Sequence, residues 1–358
     1  MRYINLFFFI LLTFSCYAIT NDEIGFLCDK EQFQILNKYN AIIQAKAMKG
    51  DEEDLKTVLN YAHRANLPEL AKQCHKRLAL NYNSLEDALQ WLILCETEEI
   101  DSLTFYNDYN AITEAITDSL DRSVWLYYTK KCSEEELFAK IAETKKYNSI
   151  IEAMAKDLID EISIEYNDSL ALNLLDEFEI KYPHSRYRSI ALYYKLYHFA
   201  NRKNWQGLIK ALPQRNNTDP VSAYIASLFL LSPTFRKDFE GEENLLELAE
   251  QYLVLADSDC EQTLLYDVYS AEDWKTRVLQ QQAKLLFYQI IEPYGFFGDE
   301  LDIPVLEKNK LKQQKELLDI LAQVNFSNNN RGEQAEKHFW MAKALLLTGK
   351  KTDKQKAA

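Results

Sequence analysis

Glycine and proline are so scarce in this 358-residue chain that few folds remain open to it. There are 8 Gly and 7 Pro, about 4% together against roughly 12% in average usage. Hairpins, crossovers and tight turns draw on these two residues for their unusual backbone angles. A many-stranded sheet needs many of them, whereas long helices joined by short polar links need few. The apolar residues agree with the second choice. Leu55, Val58, Leu59 and Ala62 fall at i, i+3, i+4 and i+7, and Leu245, Leu248, Ala249, Tyr252 and Leu255 repeat the spacing. Leu170, Leu174 and Phe178, with Ala171 and Leu175, make a wide stripe, and Ala335, Phe339, Ala342 and Leu346 make another. Sustained two-residue alternation is missing. Ser133 with Glu136 has capping-box spacing, Asp219 precedes a proline at a first helical position, and Gly50 and Gly349 read as stops.

These signals predict helices over 22–48, 52–65, 68–81, 84–96, 103–119, 122–130, 134–147, 149–165, 168–181, 186–201, 204–211, 219–231, 242–257 and 260–291, then 308–324 and 332–348. The expected organisation is a helical-repeat region over 19–291, an irregular loop over 292–307, a C-terminal helical pair over 308–349 and a frayed basic tail over 350–358.

Residues 1–18 read as a secretory leader. Arg2 is followed by an apolar run from Leu6 to Leu12 and then by small and polar residues, with Cys16 and Ala18 three and one residues before a cut after Ala18. The run is shorter than the ~20 residues of a spanning helix. Lipidation of Cys16 is the alternative, although Thr13 stands where such signals want Leu and Leu12 is one residue too early. An uncleaved anchor is the third reading. The mature protein is thus expected to be periplasmic or extracellular, touching a membrane only through a lipidated Cys16. Cleavage leaves Cys28, Cys74, Cys95, Cys132 and Cys260, an odd number at wide spacings, so most are expected to be buried free thiols rather than a disulfide framework.

The net charge of −14 argues against a nucleic-acid partner, which requires a basic face. No glycine-rich phosphate loop, HExxH or GxSxG motif occurs, and no cofactor is implied. His63, Cys74 and His75 are the nearest approach to a metal set, but they lack metal-ligand spacing and read as solvated or core side chains. A helical hydrolase or transglycosylase acting on envelope polysaccharide is the enzymatic alternative. Its only loop would be Glu292 to Pro304, carrying Glu292, Asp299, Glu300, Phe296 and Phe297.

One stretch, LLDEFEIKYPHSRYRSIALYYKLYHFANRKNW, goes further. Pro183 removes a backbone donor and pushes Tyr182 out of the helical region, so a helix must end there. Ser185 is placed to cap the next one. Phe178, Tyr182, Pro183, Ser185 and Ala191, followed by Asn204-Trp205, resemble the tetratricopeptide-repeat pattern, most closely the YPxS turn of exported members. The match covers roughly residues 168 to 212, with weaker echoes near 334–350 and in PELAKQCHKRLALNYNSLEDALQWLI. Arg202-Lys203 stands where the family usually has Gly, and no 34-residue period runs through the chain. The resemblance implies an all-α fold, antiparallel helical hairpins stacked as an α-solenoid. It also implies a protein or peptide partner and a scaffolding rather than an enzymatic role. Tyr187, Tyr193, Tyr194 and Tyr197 cannot share one helical face, so some pack between layers while others border a groove. Tyr197 and His198, and the Phe296–Phe297 pair, are the candidate partner contacts.

Export makes a direct prediction. N-terminal sequencing of the protein recovered from outside the cytoplasm should begin at Ile19. A retained Met1 on a cytoplasmic protein contradicts export, and a lipid-modified Cys16 contradicts ordinary cleavage.

Overall fold

The computed structural model describes residues 19–96, 102–144, 147–261, 265, 273–296, 311–326 and 331–347. Among these residues every regular element is helical and no strand occurs. The leader, residues 297–307 of the expected loop, Gly349 and the basic tail lie outside them. The chain forms two compact units, Met1–Thr144 and Lys145–Ala358, a division inside the span that reads from sequence as one region.

In the first unit α1 (Asn21–Asp29), α2 (Phe33–Leu36) and α3 (Asn40–Lys49) lead into α4 (Glu52–Arg64), α5 (Pro68–Tyr82) and α6 (Leu85–Glu96). Then come α7 (Ser102–Ala115), α8 (Ser119–Tyr128) and α9 (Glu134–Glu143). Helix α4 packs on α5 and α5 on α6, while α1 returns onto α4. The first core gathers the inner faces of α1 to α5, among them Ile24, Leu36, Ile43, Leu55, Val58 and Leu78, all essentially solvent-free.

The second unit begins with α10 (Ser149–Ile164), α11 (Asp168–Lys181), α12 (Arg188–Asn201) and α13 (Trp205–Ala211). It continues through α14 (Pro220–Leu230), α15 (Pro233–Asp238), α16 (Leu245–Ala256) and α17 (Trp274–Ile291), and ends with α18 (Leu311–Gln323) and α19 (Arg331–Leu346). Again chain neighbours pack: α10 on α11, α11 on α12, α12 on α13 and α14, α16 on α17, and α18 on α17 and α19. Its core runs from Leu196 and Leu208 through Val221, Ile225 and Phe235 to Trp274 and Phe287.

The scarcity of glycine has a structural counterpart. Helices commonly end on a left-handed residue, usually Gly, which lets the next amide bond back to the helix. Here Glu31, Asn66, Asn83, Lys130 and Lys203 hold that conformation, with φ from 51° to 57°. At four of them the closing bond is present: Gln32 N to Leu27 O at 2.8 Å, Leu67 N to Ala62 O at 2.8 Å, Lys131 N to Leu126 O at 2.7 Å, and Asn204 N to Phe199 O at 2.9 Å. Lys203 therefore does in this chain what Gly commonly does at a helix end. Glu31 explains one difference from the sequence reading. The span 22–48 is not one helix, because the left-handed turn after Asp29 breaks it, and neither Gly nor Pro marks the place.

Two of the start signals hold, at Ser133 and Asp219. Ser133 and Glu136 form a reciprocal capping box, and the Asp219 carboxylate accepts from the Ser222 amide at 2.9 Å ahead of α14. Gly50 ends α3, but in extended rather than left-handed backbone. Two stripes are shifted. Leu170 is 46% exposed while Ala171, Leu175 and Phe178 are buried. In α19 the buried residues are Trp340, Lys343 and Ala344, with Leu347 just beyond its end, not the Ala335–Phe339 row, and Phe339 is 52% exposed. The indole decides this: Trp340 lies edge-on to Phe287 and Tyr288, with centroids 5.4 and 5.7 Å away, and rotates the helix to bury itself.

If Lys203 carries left-handed strain, relieving it should show. Lys203→Gly is expected to gain about 0.5–1 kcal/mol in urea denaturation, and Lys203→Val to lose about 1–2 kcal/mol, because a β-branched residue tolerates positive φ worst. The reverse order would contradict the assigned turn.

Candidate functional site

The turn after α11 is built by three helices. Pro183 stops α11 as its sequence requires, and Tyr182 leaves the helical region at φ −130°, ψ 51°. Helix α12 starts at Arg188, three residues after Ser185, so Ser185 does not sit at its first turn. Its hydroxyl instead accepts from the Tyr187 amide at 3.2 Å and donates to a Glu152 carboxylate oxygen at 2.7 Å. The other Glu152 oxygen accepts from the Arg186 amide at 3.2 Å, and the Tyr147 hydroxyl accepts from the His184 amide at 3.0 Å. Residues from the start of α10 thus satisfy the backbone of a turn more than thirty positions away. No local spacing announces this contribution.

The turn orients α12 so that its tyrosines divide as one helical face cannot. Tyr187 is buried, with the Arg186 guanidinium 4.9 Å above its ring. Tyr193 and Tyr197, one turn apart, are 40% and 43% exposed and stack with centroids 6.3 Å apart. Tyr194 meets the Tyr193 edge at 5.6 Å, and Phe229 of α14 lies 5.8 Å from Tyr193. Burial pushes the Tyr193 phenol up, and the neighbouring Tyr194 and Tyr197 add to it. A separate cavity of about 240 Å³ is bordered by Phe178, Tyr182, Arg188 and Asp219. Burial pushes the Asp219 carboxyl up, but the Ser222 amide and hydroxyl and the Arg188 guanidinium outweigh it and hold the group below its usual range.

His198 is not on that face. It is 4% exposed, and its Nδ1 lies 2.6 Å from an Asp168 carboxylate oxygen at the start of α11. The imidazole clamps two helices, so of the adjacent pair only Tyr197 is accessible to a partner. Phe296 packs half-buried against the second core, and Phe297 lies outside the described residues. Glu292, the first carboxylate of the loop, is held at 2.7 Å by the buried Arg236, whose guanidinium also sits 4.3 Å over the Tyr288 ring. Asp299 and Glu300 lie outside the described residues.

The first unit brings together residues that are scattered in sequence. His63, at the end of α4, and His75, in α5, face each other with their Nε2 atoms 3.2 Å apart. The Nδ1 of His75 lies 2.7 Å from an Asp87 oxygen, and the Ser84 hydroxyl donates to the other. Burial lowers the His63 pKa, and the nearby His75 lowers it further. Cys74 points away into the core, where burial pushes its thiol up to about 12. The five described cysteines are all unbridged thiols, and Cys28, Cys74 and Cys95 are buried, as a chain without a disulfide framework would have them. Farther along, Trp91, Phe105, Tyr109 and Trp125 stack in series at 5.5, 6.3 and 5.6 Å. Phe105 borders two cavities, of about 420 and 310 Å³.

Compared with protein-family models, curated proteins and solved structures, the chain gives no match in any of the three.

Two substitutions separate the turn from the core beneath it. Phe178→Ala removes a solvent-free ring and should cost about 3–5 kcal/mol in denaturant unfolding. Glu152→Ala strips the turn of two bonds and should cost about 1–3 kcal/mol, with new protease cleavage within residues 183–187. A Glu152→Ala variant as stable and as resistant as the parent would show that the carboxylate does not hold the turn.

Proposed function

We propose that this protein is an exported binding scaffold: a degenerate α-solenoid of antiparallel hairpins, related to tetratricopeptide repeats, that holds a protein or peptide partner. The observation that carries the reading is the exposed Tyr193–Tyr197 stack on α12. Stacked side by side, the two rings make a contiguous patch rather than a single exposed side chain, and tyrosine suits a covered face because it is rigid, apolar along its body and polar at its tip. The helix beneath is fixed independently. His198 ties it to α11, and Glu152 fixes its approach. A preorganised face of this kind loses little entropy when a partner docks. Chain-neighbour packing of α4 on α5, α5 on α6, α11 on α12 and α16 on α17 supports hairpin stacking. Export rests on the leader pattern, and the helix that follows is complete without the leader, since Thr20 and Glu23 form their own capping box.

The test uses Tyr197→Ala and Tyr193→Ala in the mature protein, with Phe178→Ala as the core comparison. The tyrosine variants should melt within a few degrees of the parent while capture of the partner falls at least about tenfold, the loss of one good aromatic contact. Variants that all unfold, or that stay folded and capture as before, would remove the binding face from α12.

A further inference from the structure

We propose that His63 and His75 form a divalent-metal site that takes an imidazole-preferring ion such as Zn²⁺ or Cu²⁺. Two imidazole nitrogens bound to one tetrahedral ion at about 2.0–2.1 Å stand about 3.3 Å apart. The Nε2 atoms of His63 and His75 are 3.2 Å apart, and the ring centroids are separated by 5.3 Å. The same geometry with an ion between the rings places the centroids about 5 Å apart, so the two nitrogens already stand at the spacing a shared ion needs, and a tilt of the exposed His63 ring would turn its lone pair toward it.

The surroundings are built as metal-binding histidines require. A ligating imidazole usually donates its other N–H to a carboxylate, which fixes the tautomer and raises the basicity of the nitrogen that binds. Asp87 does this to His75 at 2.7 Å, and Ser84 in turn holds Asp87. With Nδ1–H committed to Asp87, the Nε2 of His75 carries a lone pair inside a 4% exposed side chain. Without a metal, the Nε2–H of His63 must fill that lone pair. With a metal, His63 moves its proton to Nδ1 and both Nε2 atoms bind, so two neutral rings accept the ion and no proton is lost. His63 is at the exposed end of α4, which gives the ion a way in. Among the described residues no third His, Cys, Asp or Glu converges on the pair. The remaining coordination positions would therefore hold water in the isolated protein. Imidazole ligands favour Cu²⁺ over Ni²⁺ and Zn²⁺ in affinity. The inference stands apart from the aromatic face of α12 and does not depend on it.

The experiment is calorimetric titration of the purified, chelator-treated protein with Zn²⁺, and of a parallel sample with Cu²⁺ followed by electron paramagnetic resonance. One ion per chain is expected, with nitrogen coupling from two imidazoles in the Cu²⁺ spectrum. His63→Ala, an exposed position whose fold is checked by its melt in chelator, should abolish saturable uptake. Asp87→Asn should weaken it about 10–100-fold. His338→Ala, elsewhere on the chain, should leave it unchanged. Absence of saturable uptake by the parent protein, or uptake that survives His63→Ala, would overturn the site.

Discussion

The carboxylate of Glu152 is the contact on which the second unit's first helices depend. Proline at 183 can stop a helix but cannot say where the chain goes next. Ser185, buried in this turn, must find a partner for its hydroxyl, since an unpaired buried group costs more than a hydrogen bond contributes. Glu152 meets the Ser185 hydroxyl and the Arg186 amide together, and Tyr147 meets the His184 amide. That fixes the exit angle of α12. From the angle follow the burial of Tyr187, the His198–Asp168 clamp and the outward aim of Tyr193 and Tyr197.

The same division between stopping and steering recurs at the other turns. Left-handed closure is normally assigned to glycine because other residues pay for the missing freedom in strain. This chain uses Glu31, Asn66, Asn83, Lys130 and Lys203 there, and at four of the five the helix-closing bond forms all the same. The protein can be poor in glycine and still turn sharply between helices. Its turns are consequently hard to read from composition, and the long span 22–48 looked continuous for that reason.

What could be read in advance depended on how local the cause was. Helix existence, the break at Pro183, the capping box at Ser133 and the cap at Asp219 follow from spacings of a few residues, and the structure contains them. The face of α19 was not legible, because Trp340 chooses it through contact with Phe287 and Tyr288 of a different helix. His198 was not separable from Tyr197 on sequence, since the two adjoin and only Asp168, thirty residues earlier, decides which is buried. The pairing of His63 with His75 was hidden in the same way: their twelve-residue separation fits no metal motif, and only the crossing of α4 with α5 brings the rings together. Local chemistry set the elements, and long-range contacts, aromatic at Trp340 and polar at His198 and His75, selected the surfaces.

The scaffold account stands or falls on what lies against Tyr197 in the working protein. A photo-reactive amino acid placed at 197, and separately at the fully exposed Tyr166, would be activated in the protein's native compartment. The account predicts a discrete cross-linked species from position 197 that position 166 does not give, and that disappears when Tyr193 is also changed to Ala. Equal cross-linking from both positions, or none from 197 in a folded and correctly located protein, would contradict it.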